Sequence, residues 1–224
     1  LANLTGLTVN HTTQQLAAKF IFGDDKTPQD KFVYTDLSEM FPGYTYEGGK
    51  SSYLGEDPSG GGFVYTEPGL HVDVKLLDVE SMHPSSAELL NIFGPYTPRF
   101  ADLRRARLAI KHGRLEEAGK MFNGALKPYL SEDASGDLSQ ALKIVINIVY
   151  GLTSAGFENK FRDPRNKDNI VAKRGALFMI DLKNAVQKAG YTVAHIKTDS
   201  IKIPTSDESV VKLVSDIGAK YGYT

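Results

Sequence analysis

The sequence predicts an α+β fold: a split β-α-β-β-α-β antiparallel sheet with helices on one face, and a two-helix subdomain inserted after the first strand. Three observations carry this expectation. Two extended stretches, "FVYTEPG" and "HVDVKLLDVES", stand in the first half of the chain, and a tight hairpin, "TVAHIKTDSIKIP", stands in the second. Amphipathic helical segments follow these strands in the order that such a sheet requires. Between them lies a long run rich in Arg, Ala, Leu, Lys and Glu that the sheet itself does not need.

Taken in order, residues 1–60 are turn-rich. Thr12 to Phe22 has helical spacing, Phe32 to Thr35 fits a short strand, and "YEGGKSSYLGEDPSGGG" is a loop by composition. The two strands follow, the second from His71 to about Val79. Pro84 ends extended pairing, and a helix is expected over Ser85 to Phe93. "TPRFADLRRARLAIKHGRLEEAGKMFNGAL" should be helical with a break near Gly113. "SGDLSQALKIVINIVYGL" is a further helix, with Asp137 able to cap it and Gly151 marking its end or a tight contact. "NIVAKRGALFMIDLKNAVQKAG" is a long amphipathic helix stopped by Gly190. In the hairpin, Thr198, Asp199 and Ser200 form the bend. Ser206 caps the last helix, and another strand starts at Tyr223 and Thr224. The expected segments are therefore 1–60, a turn-rich lead-in; 61–94, the first part of the sheet domain; 95–158, the helical insertion; and 159–224, the second part of the sheet domain.

Composition narrows the function classes. A chain of 224 residues with 41% hydrophobic content can bury one sizeable core. It has no cysteine, which excludes disulfide frameworks and thiolate metal sites. No apolar run reaches membrane-spanning length, and no signal peptide opens the chain. The first residue is Leu1, which suggests a piece of something longer. The net charge of −1 argues against a generic polyanion binder. That average hides a pattern, however. The first sixty residues are acidic, whereas Arg104, Arg105, Arg107, Lys111 and Arg114 crowd together further on, and the chain stays basic from Lys143 to Arg174.

Topology picks out two acids. In a split sheet the first strand lies beside the hairpin, so Asp78 at the strand end and Asp199 at the bend come together despite their distance in sequence. Two adjoining carboxylates repel unless a proton or a cation lies between them. Such oxygen ligands suit magnesium, which keeps positions for water and phosphate, and paired ions of this kind serve phosphoryl transfer. Taken singly, each acid is better explained as a turn or strand-end residue.

Three motifs then stand in order. "DVESMHPSS" resembles motif A of family B DNA polymerases, an Asp, two positions, then Ser-Leu-Tyr-Pro-Ser. "KIVINIVYG" resembles motif B, Lys, three positions, Asn-Ser, one position, Tyr-Gly. "HIKTDS" resembles motif C, Tyr-Gly-Asp-Thr-Asp-Ser. "GGFVYTEPG" is similar to the Gly-rich strand segment before motif A. The resemblance runs from about Gly60 to the C-terminus and has a phage-type flavour.

The resemblance implies a polymerase palm with inserted fingers, acting on primer–template DNA and deoxynucleoside triphosphates as a monomeric core. It implies a cytoplasmic site of action, in a bacterial or phage-infected cell, and no membrane partner. Thumb and exonuclease would lie outside residues 1–224. Asp78 and Asp199 would be catalytic and would bind Mg2+, with the Val79 carbonyl as a further ligand. The backbone N–H groups of Ser81 and Met82 would touch the triphosphate. Arg107 and Lys111, spaced i, i+4, match the first fingers helix, and Lys143 and Asn147, again i, i+4, match the second. Tyr150 and Gly151 would lie against the nascent base pair. His83 takes the place of the family's tyrosine, a gate under the sugar.

Two departures matter. Lys197 replaces the first aspartate of motif C, and Ile148 replaces the serine of motif B. Lys197 could neutralise the site, contact primer phosphate, or compete with metal. The leading function is a template-directed DNA polymerase core. Against it stand a primase- or cyclase-like enzyme on a related palm, and a truncated, catalytically weak module that binds nucleotide or nucleic acid without efficient synthesis.

Overall fold

In chain order the elements are α1 (Ala2–Thr5), α2 (Thr13–Phe22), β1 (Thr45–Glu47), β2 (Lys50–Ser52), β3 (Val64–Thr66), β4 (Val74–Asp78), α3 (Met82–Leu89), α4 (Thr97–Lys111), α5 (Leu115–Lys120), α6 (Glu132–Thr153), α7 (Ile170–Lys188), β5 (His195–Lys197), β6 (Ser200–Pro204) and α8 (Ser209–Lys220). The structure is a computed structural model that describes residues 1–224, apart from the side chains of residues 132 and 133. It is α+β with antiparallel sheets. The chain divides into a helical unit, Leu1–Tyr34 with Leu90–Asn166, and a sheet unit, Thr35–Leu89 with Lys167–Thr224. The first 34 residues thus pack with the helices, and the turn-rich lead-in splits between the two units.

In the helical unit α4 packs along α6, and α2 packs against both. Two helices are expected from the sequence between Pro95 and Phe157. The structure has three, because the break after Lys111 leaves α5 as a separate piece. The unit's core is aromatic. Phe22 meets Phe32, Phe93, Tyr96 and Phe161 with ring centroids 5.1–5.7 Å apart, and Phe93 also meets Phe100. Such edge and tilted contacts add to the burial of large rings. Ser131 caps α6 by accepting from the Ala134 N–H, so the expected cap, Asp137, lies inside the helix. Gly151 is also interior to α6, and a Cβ there would meet nothing within 4 Å, so it marks neither an end nor a close contact. Phe32 to Thr35 forms no strand. Its backbone tie is the Val33 N–H donating to the Ile92 carbonyl, a bond from one loop to another.

In the sheet unit the strand order is β3-β5-β6-β4, all antiparallel. Ile196, Ile201 and Ile203 are buried and alternate with the exposed Lys197 and Lys202, so one face is covered and the other is open. On the covered side α7 packs against α3 and α8. β1 and β2 form a separate hairpin within a stretch that reads as loop. Gly48 and Gly49, at φ 57° and 80°, make its two-residue turn. Thr205 and Asp207 stabilise the entry to α8 in place of Ser206. Asp207 accepts from the Ser209 N–H.

Two carboxylates of the sheet unit, Asp168 and Asp181, have tyrosine partners. Asp168 is buried and accepts from the Tyr44 hydroxyl at 3.0 Å. Asp181 accepts from Tyr53 at 2.9 Å and from Tyr221 at 2.6 Å, tying both ends of the sheet unit to α7. Burial first, and then the Asp181 carboxylate, push both phenols well above the ordinary tyrosine range. In the unfolded chain these groups ionise near pH 10, and in the fold they ionise later. Their stabilisation is therefore whole below pH 10 and is lost as pH rises above it. Thermal melts followed by circular dichroism should show a midpoint that falls above pH 10, and a shallower fall when Tyr53 and Tyr221 are both replaced by phenylalanine. Asp181→Ala, which strands two hydroxyls, should cost about 2–4 kcal/mol at neutral pH.

Candidate active site

The site is built where β4 ends beside the β5–β6 hairpin. Asp78 pairs with Ser200, and Lys197 pairs with Ser200 across the hairpin. The loop therefore holds only two residues, Thr198 and Asp199. Of these only Thr198 has positive φ, at 58°, a conformation that favours glycine. A β-branched residue there is strained. Two bonds hold it: the Thr198 N–H donates to the Phe63 carbonyl at 2.9 Å, and the Asp199 N–H donates to the Lys197 carbonyl at 2.8 Å.

The Val79 N–H donates to the Asp199 carbonyl at 2.8 Å. The backbones that carry the two acids are therefore joined directly, although more than a hundred residues separate them in sequence. Asp78 is exposed and Asp199 half-buried. Both line a cavity of about 140 Å³ whose other walls include Leu77, Phe178, Ile201 and Tyr223. It is apolar and too small for a nucleoside triphosphate.

After β4 the chain reverses at Ser81, whose φ is 56°, and enters α3. The Ser81 carbonyl accepts from the Ser85 N–H at 2.9 Å. Met82 is buried, with its sulfur against Gly175 of α7, so its backbone is the part left for a ligand. His83 is half-buried. Burial pulls its imidazole below the usual range, and the Asp199 carboxylate pulls it back up. That pairing puts His83 in the electrostatic field of Asp199.

The glycine-rich loop supports the hairpin from outside. Gly62 sits at φ 145°, and a Cβ there would lie 2.8 Å from Cγ2 of Thr198. Lys173 of α7 donates to the Ser59 carbonyl, and Asn169 donates to the Gly60 carbonyl at 3.3 Å. Sequence reading treats this stretch as a loop, but Gly62 is what lets it approach the turn. Gly62→Ala should cost about 1–3 kcal/mol and displace the turn. Adding Thr198→Gly, which removes the clashing side chain, should restore only the steric part of the loss, because alanine at φ 145° stays strained. Equal stability of Gly62→Ala and the parent in urea denaturation would refute this.

The remaining candidates lie in the helical unit. Lys143, Asn147, Tyr150 and Gly151 follow one another at helical spacing on α6, opposite a buried stripe of Leu142, Val145, Ile146, Val149 and Leu152. Lys143 and Asn147 are exposed, and Tyr150 is half-buried. On α4, Lys111 is exposed and Arg107 half-buried, one turn apart. The structure thus brings Asp78, Val79, Ser81, Met82, His83 and Asp199 together in the sheet unit, and sets Arg107, Lys111, Lys143, Asn147, Tyr150 and Gly151 on two packed helices of the other.

Among the described residues no cluster of three or more His, Asp or Glu side chains is placed to hold a metal. A divalent ion at β4 would rely on two carboxylates and backbone oxygen. Those hard oxygen donors fit magnesium, which needs few protein ligands and retains water.

The chain matches no protein-family model. In an alignment 194 positions long that covers 77% of the chain, it is 30% identical to DNA polymerase II of Escherichia coli strain K12, and the match covers 24% of that protein. The chain therefore spans about a quarter of the length of the curated relative it matches.

Proposed function

We propose that the sheet unit is the palm of a family B DNA polymerase, that the helical unit is its fingers, and that together they add deoxynucleotides to a primer 3′ end under template direction. One observation carries the reading: the acids of motifs A and C, remote in sequence, are joined through the Val79–Asp199 backbone bond. The ordered motifs and the similarity to a bacterial DNA polymerase support it. That relative gives the phage-type assignment no weight.

On this reading Asp78 and Asp199, with the Val79 carbonyl, hold magnesium. Bound there, the metal supplies activation of the attacking oxygen and charge stabilisation of the leaving one. The chain's own residues position and neutralise. The backbone at Ser81 and Met82, where α3 begins, faces the triphosphate with N–H groups, as anion-binding turns do. Arg107 offers a planar fork and Lys111 and Lys143 offer point charges to its oxygens, and Asn147 adds a neutral donor. Tyr150 and Gly151 present a flat surface to the base pair. His83 lies under the sugar, where imidazole is smaller than phenol and discriminates less against a 2′-hydroxyl. Primer–template DNA and deoxynucleoside triphosphates are the partners. The site of action is the cytoplasm, and the core is monomeric. No helix among the described residues is long and apolar enough to cross a membrane.

A second reading, a module that binds nucleotide or nucleic acid without efficient synthesis, is favoured by one observation: a lysine, Lys197, stands where motif C has an acid.

Primer extension separates the two. The chain, a labelled primer–template and magnesium are incubated with deoxy- or ribonucleoside triphosphates, and nucleotide binding is measured in parallel. Template-dependent incorporation with preference for deoxynucleotides is expected. Binding without incorporation selects the second reading, and neither binding nor incorporation sinks both.

A further inference from the structure

The open face of the four-stranded sheet carries two parallel rows of side chains. Directly paired residues of antiparallel strands share a face. The first row is Val64, Lys197, Ser200 and Asp78, and the second is Thr66, His195, Lys202 and Leu76. Lys197 therefore points to the same side as Asp78, two strands away in the same row. The rows lie about 7 Å apart, two residues along a strand, close to the step between successive phosphates of a nucleic-acid strand. Lys197 and Lys202 are both exposed, and His195 contacts the Thr66 hydroxyl at 3.0 Å. At these paired positions Asp78 is the single carboxylate. Val64 and Leu76 flank the cations and are 59% and 60% exposed.

Cations one phosphate step apart, bordered by apolar side chains, complement a sugar–phosphate strand, in which charge alternates with apolar sugar. An acid at Lys197 would repel such a strand, whereas an ammonium attracts it. We propose that Lys197 is a substrate-positioning residue: it holds a backbone phosphate of the primer strand on the open face, with Lys202 holding a neighbouring one, so that the strand end arrives at Asp78. This rests on the polymerase reading. It gives Lys197 a role that the acid it replaces could not have.

The test is the salt dependence of binding. Affinity of the 224-residue chain for a fluorescent primer–template is measured by anisotropy across a series of salt concentrations. The proteins are the parent, Lys197→Met, Lys197→Arg, Lys202→Met, and Lys188→Met as a surface-charge control. Each phosphate contact contributes about 0.9 to the slope of log affinity against log salt. Lys197→Met and Lys202→Met should each weaken binding several-fold and lower the slope by about that amount. Lys197→Arg should keep it, and Lys188→Met should leave it unchanged. A merely structural role for Lys197 would not move the slope. The inference is overturned if Lys197→Met leaves the slope at the parent value, if Lys188→Met lowers it equally, or if the parent binds no duplex. Manganese binding, with Asp78→Ala and Asp199→Ala as controls, separates the failures. If acid-dependent binding of the ion persists, only the role of Lys197 falls. If it is absent as well, the polymerase reading falls too.

Discussion

Replacing Asp78 by alanine should reduce magnesium-dependent nucleotide incorporation by about a thousandfold or more, a barrier increase of about 4 kcal/mol. Asp199→Ala should do the same. Neither change should unfold the sheet unit. Asp78 is exposed, and the bond that ties its strand to the hairpin comes from the backbone of Asp199, which alanine retains. The two acids would act as one unit around a shared cation, so the double variant should be scarcely worse than either single one. Independent contributions would multiply instead. Single-turnover primer extension, with thermal melts as the folding control, reads both quantities. Retained incorporation in either single variant would remove that residue from the chemistry. Multiplicative losses in the double variant would point to two separate sites.

Much of the sheet unit was legible because its signals are periodic. The β5–β6 hairpin alternates buried isoleucines with exposed lysines, and α7 keeps buried apolar residues as far as Val186, a turn before Gly190. The pairing of Asp78 with the hairpin followed from topology alone. What escaped was set by contacts between distant segments. Nothing near Asp181 announces that Tyr53 and Tyr221 will both bind it. The β1–β2 hairpin is three residues to a strand and polar, so composition hid it, although its Gly-Gly pair is a turn signal. The role of Gly62 needed the coordinates of Thr198, because close approach leaves no trace in spacing.

The facing of Lys197 turned on one residue of register. If Ser200 belongs to the bend, strict alternation across the hairpin is lost and Lys197 can point either way. Ser200 instead pairs with both Lys197 and Asp78, the loop shrinks to two residues, and all three side chains share the open face. A one-residue slip would have moved every side chain of that strand to the other face. The chemistry of this corner therefore depends on a strained Thr198, supported from outside by Gly62.

Lys143→Ala should raise the apparent KM for deoxynucleoside triphosphates about 10–100-fold, a loss of about 1.4–2.7 kcal/mol, and lower kcat by less. Lys143 lies on the exposed stripe of α6, away from the side that Val145, Ile146 and Val149 bury, so stability should change by no more than about 0.5 kcal/mol. A point charge that meets the triphosphate on binding, and keeps that contact during reaction, contributes uniformly to ground and transition states, which is why the effect falls on KM. Lys143→Arg should recover part of the loss, since charge is kept while geometry changes. Asn147→Ala, one turn along, removes a neutral donor and should cost less, about 0.5–1.5 kcal/mol. The order Lys143 above Asn147 is the sharper prediction, because a helix face that merely packs on its neighbour has no reason to rank a charge above an amide. Steady-state kinetics with direct nucleotide titration decide it. Unchanged affinity and rate in Lys143→Ala would make the stripe on α6 a solvated surface and leave the triphosphate to Arg107 and Lys111.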